Sequence, residues 1–245
     1  MTVVLEFEFD MNVRACALLV AAVALGACAT VPATGPVVTE AVAPVPEAGR
    51  AAAAAAVPQP VRPAPDPALV AIYASRKDGS RTLPAVDVAA FHRELLRNEV
   101  DFPTTEAPGT VVIDTTGPFL YLVEPGGRAT RYGIAIGREG FGWTGDGTIA
   151  RRAKWPTWTP PPEMIARDPH VAKWAGGQPG GVTNPLGARA LYINFGGADS
   201  GYRIHGTNMP KSIGWAASSG CFRMLNQDVI DLYDRVQIGA KVIVL

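Results

Sequence analysis

Cysteine and histidine are both scarce in this chain: of 245 residues, three are cysteine (Cys16, Cys28, Cys221) and three are histidine (His92, His170, His205). A zinc site needs three or four ligands at short local spacing; these residues are too dispersed to supply one, so no metal is expected. Net charge is lacking as well. The formal balance is zero and the isoelectric point about 6.8, which leaves no sequence-wide basic field to recruit nucleic acid, and no nucleic-acid partner is expected. No internal repeat of solenoid length occurs. What is present, 48% hydrophobic and 18% charged residues, suffices for one principal domain with a good core.

The chain starts as an exported protein would. Met11-Asn-Val-Arg14 is a short basic region, and Ala15 to Leu25 is an apolar run of leader length, too short to span a bilayer. Glu6, Glu8 and Asp10 ahead of it are foreign to a leader, so translation is expected to begin at Met11. Leu25-Gly26-Ala27-Cys28 resembles a bacterial lipobox, which makes Cys28 a candidate for lipidation and for a membrane tether, with the mature protein in the periplasm. From Ala29 to Pro67 nine prolines punctuate an Ala/Val-rich segment, a composition that blocks helix and sheet and leaves an extended spacer. If Cys16 leaves with the leader and Cys28 carries lipid, Cys221 has no partner for a disulfide. A lone thiol in an oxidising compartment calls for a chemical reason.

Residues 68–107 read as a short helical extension: Val88, Phe91, Leu95 and Leu96 fall near one face at helical spacing, predicting an amphipathic helix over 86–98. From residue 108 the pattern turns to strands. "TVVID", "FLYLVE" and "TRYGIAIG" are separated by the turn-rich Thr115–Pro118 and Pro125–Gly127, predicting antiparallel pairs. "ALYINF" at 190–195, "YRIHG" at 202–206 and "KVIVL" at 241–245 continue the β character. Two helices are predicted, one from Pro161 to Arg167 and one from Asn226 to Val236. In the second, Val229, Leu232, Tyr233 and Val236 form a core face, Asn226 offers an N-cap side chain, Asp228 lies in the first turn and Gly239 just beyond the end. The expected fold is mainly β over 108–245, with one or two short helices and long loops.

Cys221 sits in "SSGCFRM", sixteen residues after His205. That separation is too long for one helix face and suits two strand ends brought together. An imidazole beside a thiol can take its proton and create a nucleophile for a carbonyl carbon. A free thiol is only a few per cent ionised at neutral pH, so pairing with an imidazolium is the expected route to a competent thiolate. Gly220 permits a tight turn, and the backbone N–H groups of Ser219, Gly220 and Cys221 are candidates to face an oxyanion.

The segment Tyr202 to Leu245, "YRIHGTNMPKSIGWAASSGCFRMLNQDVIDLYDRVQIGAKVIVL", closely resembles the catalytic end of the L,D-transpeptidase (YkuD-like) family. The family pattern is a histidine followed, after a loop, by Ser/Thr-x-Gly-Cys, a hydrophobic residue and Arg or Asn. His205, Ser218, Gly220, Cys221, Phe222 and Arg223 occupy those positions. The resemblance implies a YkuD-like β-sandwich over 108–245 and an exported enzyme of peptidoglycan crosslinking, with no cofactor, since thiol and imidazole suffice. Cys221 would attack the bond between the third residue of a stem peptide and its terminal D-alanine. His205 would act as base and then acid, Gly206 would orient the imidazole through its carbonyl, and Arg223 and Ser218 would support the substrate. Many members carry histidine immediately before the Gly-Cys pair, where this chain has Ser219; the departure bears on rate and on choice of acceptor.

The resemblance leaves the acceptor open. An amine on a second stem gives a 3-3 crosslink, an outer-membrane protein gives an anchored protein, and water gives an L,D-carboxypeptidase; a decayed site would leave a peptidoglycan-binding lipoprotein. Trp143, Trp155, Trp158 and Trp174 lie in Gly/Pro-rich segments, candidates either for a loop over the cleft or for ordinary packing.

Overall fold

The computed structural model describes residues 64–138, 143–218 and 220–245. The expected leader, the lipobox Cys28 and most of the proline-rich segment lie outside these residues. Helix α1 (Pro67–Ile72) begins at the last residue assigned to that segment, and Asp66 caps it by accepting from Ala68 N at 2.9 Å. Strands β1 (Arg76–Asp78) and β2 (Arg81–Leu83) form an antiparallel hairpin, followed by two 3₁₀ turns at Val88–Ala90 and Arg93–Leu95 and by strand β3 (Asn98–Asp101).

The helix expected over 86–98 is absent. Phe91 and His92 are extended between the turns and Leu96 just after the second, because this stretch lies flat on the sheet instead of rolling over it. A side chain at Gly133 would meet Leu95 O at 2.3 Å. Val88 and Leu96 are buried in a second apolar cluster with Tyr73, Ile213 and Leu225, so their helical spacing is satisfied by burial alone. Tertiary packing outweighs the local periodicity.

Strands β4 (Val111–Asp114), β5 (Phe119–Glu124) and β6 (Arg128–Gly137) form the predicted antiparallel meander. They are followed by β7 (Gly145–Lys154), helix α2 (Pro162–Arg167), a 3₁₀ segment at Pro169–Trp174, β8 (Arg189–Phe195) and β9 (Ala198–His205). After a 3₁₀ turn at Pro210–Ser212 come β10 (Ala216–Ser218), β11 (Phe222–Met224), α3 (Asn226–Arg235) and β12 (Lys241–Val244). The ladder runs β6-β11-β9-β8-β7-β12-β4-β5, and β5 pairs back onto β6, so the circuit closes; β3 and β10 extend it along the long β6. Closure removes open sheet edges from the layer that carries the core. The fold is mainly β, as the sequence implies.

Beyond this meander three pairings are parallel: β10–β6, β11–β9 and β12–β4. A parallel neighbour requires a crossover; α3 supplies the last one, inserting β12 between β4 and β7. The core gathers Val111, Ile113, Leu120, Leu122, Tyr132, Ile134, Ile149, Leu191, Ile193, Ile204, Phe222 and Met224 from the strands, with Val229, Leu232 and Val236 from α3. Alternate residues of each strand point inward, and the opposite face of β8, β9 and β11 is left to carry polar chemistry.

Candidate active site

Strands β9 and β11 lie side by side in parallel, with Ile204 opposite Phe222 and His205 opposite Arg223. Ile204 and Phe222 are core residues. The side-chain period of two therefore turns Arg203 and His205 of β9, and Cys221 and Arg223 at β11, to the other face. Tyr192 of β8 sits opposite Arg203 and joins them. All five line one cavity of about 590 Å³, whose far wall includes Trp158 and Met164. The two residues that the sequence singles out as a catalytic pair thus face the same space.

His205 is buried and donates from Nδ1 to the carbonyl of its own neighbour Gly206, at 2.6 Å. A carbonyl can only accept, so Nδ1 holds the proton and Nε2 is the nitrogen able to take another. Gly206 is fixed in turn. Its N–H reaches Arg189 O at 3.1 Å, and a Cβ there would meet Asn226 Oδ1 at 2.2 Å. Asn226 does not cap α3 as expected: Leu225 stands at the cap, and the Asn226 amide instead accepts from Ala188 N at 2.9 Å and donates to Thr207 O at 2.8 Å. Those two bonds bracket the His205–Gly206 backbone, an arrangement with no local sequence signal.

The turn that presents Cys221 is built by Ser218 and Gly220. Ser218 Oγ donates to Cys221 O at 2.6 Å and accepts from Gly220 N at 3.1 Å, and Gly220 has φ 113, a conformation open to glycine. The hydroxyl of Ser218 thereby braces the turn. The Gly220 N–H, an expected oxyanion donor, already serves this internal bond. Ser219 lies outside the described residues.

The electrostatics correct the expected resting state. Burial, reinforced by the positive charges of Arg223 and Arg203, outweighs the Gly206 bond and lowers the His205 pKa to about 4. Burial likewise raises the Cys221 thiol, outweighing the Arg203 main-chain N–H and the guanidinium charges that favour the thiolate. Both groups are therefore neutral at pH 7, not an ion pair. Cys221 Sγ lies 4.0 Å from Gly201 O, and among the described residues no hydrogen bond joins it to His205. A base that approaches its proton donor only when substrate closes the site fits this arrangement.

Arg223 is half-buried, and among the described residues no carboxylate or carbonyl pairs with its guanidinium. Arg203, which sequence reasoning missed, is neutralised by Asp199 at 3.1 Å and stacks 4.8 Å from the Tyr192 ring. Of the four tryptophans, only Trp158 lines the cavity. Trp143 packs against Phe195 and Tyr202, Trp155 joins a small buried cluster, and Trp174 lies under Lys173. Pro185 and Leu186 also line the cavity, and Asn184 beside them is fully buried and donates to the carbonyls of Pro156, Gln178 and Pro179.

Comparison with known proteins bears on this geometry. The chain is 33% identical over 149 residues to Probable L,D-transpeptidase ErfK/SrfK of Escherichia coli K12, a match covering 57% of this chain and 44% of that protein. It is 32% identical over 150 residues to Probable L,D-transpeptidase YbiS of the same organism, covering 57% and 45%. The chain thus spans less than half the length of these curated relatives. A crystal structure from Brucella melitensis, described as a Probable carnitine operon oxidoreductase, is 48% identical, covers 64% of this chain and 97% of its own, and superposes with a TM-score of 0.44. Residues 108–244, more than half of the sequence and all of β4 to β12, match the L,D-transpeptidase catalytic domain model, YkuD, and the chain belongs to that family.

Proposed function

We propose that the protein is a peptidoglycan L,D-transpeptidase in which Cys221 is acylated by the third residue of a tetrapeptide stem. His205 Nε2 takes the thiol proton as sulfur attacks the carbonyl, and gives it to the departing D-alanine amine as the carbon–nitrogen bond breaks. The thioester is then resolved by an amine of a second stem, giving a 3-3 crosslink. The observation that carries this reading is the pairing of β9 with β11, which sets a tautomer-fixed His205 and a free thiol against one cavity. The guanidinium of Arg223, without a carboxylate of its own among the described residues, suits a carboxylate of the stem. Arg203, held by Asp199, supplies a second positive group without leaving the cavity wall.

We further propose that residues 1–28 are a leader ending in a lipidated Cys28, that 29–67 are a spacer, and that the catalytic domain works in the periplasm at a membrane tether. The decisive experiment incubates the full chain with disaccharide-tetrapeptide muropeptides beside Cys221→Ala and identifies products by mass spectrometry. Dimers lacking one D-alanine, formed only with Cys221, are the expected result. Trimmed tripeptides without dimers assign the protein to hydrolysis, and unchanged tetrapeptide overturns the reading.

A further inference from the structure

The β1–β2 hairpin lies upstream of the family domain, yet its side chains reach Trp155, two residues before Thr157 of the cavity lining. Asp78 accepts from Trp155 Nε1 at 2.7 Å and from both terminal nitrogens of Arg189 at 2.7 and 2.8 Å. Arg81 donates through Nε and Nη2 to Gly180 O, at 3.1 and 2.7 Å, and its guanidinium stands 5.0 Å over the Trp155 ring. Leu83 is fully buried against Ala188 and Ile230, with Trp155 packed alongside. Three consecutive contacts of one short hairpin therefore converge on a single tryptophan.

Trp155 is also where the backbone is strained. Among the described residues it is the one non-glycine with positive φ, at 46°, a region that a bulky side chain enters only where its surroundings over-determine it. Here they do: Trp155 N donates to Ala188 O at 2.8 Å, and Gly180 approaches so closely that a Cβ would stand 1.9 Å from Trp155 O. The strain sits at the exit of β7, where the chain turns to form the wall. Thr157, Trp158, Thr159 and Pro161 line the cavity directly after it. The returning limb is tied to this one by Trp158–Gln178 backbone bonds of 2.9 and 2.7 Å, while Arg81 grips it at Gly180.

We propose that the hairpin is a working part of the substrate cleft. Asp78 and Trp155 are positioning residues that hold the Thr157–Pro161 wall at the distance the donor stem requires, so a segment outside the family domain sets affinity for that stem. The inference rests on the transpeptidase reading and deepens it. It also explains why an outlying Asp is held so firmly. The bond from the Arg189 side chain is the leading reason that the Asp78 carboxyl stays below the usual range, and Arg189 is only 3% exposed.

Asp78→Asn removes the charge that neutralises buried Arg189 and is at risk of misfolding, so the primary variant is Trp155→Phe. It removes the N–H that Asp78 accepts, together with the pyrrole half of the indole, and keeps an aromatic ring at the position. In the full chain, active sites are counted by titrating Cys221, and kcat and KM for the disaccharide-tetrapeptide are measured per active site. The expected result is a KM raised roughly tenfold, the lower end for a lost hydrogen bond to a charged acceptor, with kcat per site within twofold. Trp215→Phe, a tryptophan 70% exposed and away from the cavity lining, leaves both unchanged. A merely structural Trp155 lowers the number of titratable sites while KM stays put. That result, with wild-type turnover intact, overturns the inference alone. If wild-type neither turns over the muropeptide nor, as Cys221→Ala, binds it in calorimetry, the substrate reading falls and takes the inference with it.

Discussion

Alkylation of Cys221 across pH tests the resting state of the nucleophile. Burial lowers His205 to about 4 and raises the Cys221 thiol above its ordinary value, so at rest the proton stays on sulfur. At pH 7 the thiolate fraction stays below the few per cent of a free thiol. The assay is iodoacetamide labelling from pH 5 to 10, with modification of the peptide bearing Cys221 quantified by mass spectrometry. The rate should climb about tenfold per pH unit through pH 8 and remain below that of a model thiol at pH 7. His205→Ala should leave this profile within about twofold while turnover falls by roughly 10²- to 10⁴-fold, the usual contribution of a general base. A labelling plateau between pH 5 and 8 that disappears in His205→Ala would mean a standing thiolate–imidazolium pair and would refute the burial argument.

Three other outcomes follow from the same geometry. Arg223→Gln should raise KM for the muropeptide by roughly ten- to a hundredfold, the range for a charge-assisted hydrogen bond, yet leave the melting temperature nearly unchanged, because the guanidinium has no carboxylate partner to lose among the described residues; calorimetry and kinetics check the two halves. Asn226→Ala leaves Ala188 N and Thr207 O unmet, costing about 2–4 kcal/mol in urea titrations, and should lower kcat while labelling of Cys221 proceeds as in wild type. Asp228, fully buried on α3 beneath the Tyr73 hydroxyl at 2.9 Å, is pushed up by burial to about 7 from an ordinary 3.8. The folded pKa being the higher one, its contribution is fully present below pH ~4 and is lost as pH rises to ~7. Wild type should therefore lose on the order of 4 kcal/mol over that window relative to Asp228→Asn, and equal slopes in the two urea series would contradict this.

How far the sequence reveals this molecule depends on the range of the interaction involved. The meander β4–β6 is legible because short apolar, β-branched and aromatic runs, at 111–113 and 119–123, are bounded by turn chemistry. The nucleophile and base are legible because the residues that build their turns, Gly206, Ser218 and Gly220, are neighbours in sequence. Strand β7 escapes notice because "GDGTIARRAK" buries few of its residues and derives its order from β8 and β12 on either side. Asn226 is misread for a related reason. Its type suits a helix cap, and only the fold shows that Ala188 and Thr207, 38 and 19 positions away, take its amide instead.

The protonation of the pair is the deepest instance, since it belongs to neither residue. Cys221 and His205 have the side chains for an ion pair, and their order of pKa values is set by how thoroughly β8, β9 and the Trp158 wall take them out of water. The same desolvation that keeps the thiol protonated also strengthens every charge brought into the cavity. On the proposed function, a stem carboxylate at Arg223 would offset part of the positive charge that adds to burial in depressing the imidazole pKa. His205 then becomes a better base at the moment a carbonyl stands near the sulfur. On this account the wall that we propose Asp78 and Trp155 position and the protonated thiol belong to one device, in which the ligand that fits the cavity supplies the charge that starts the reaction.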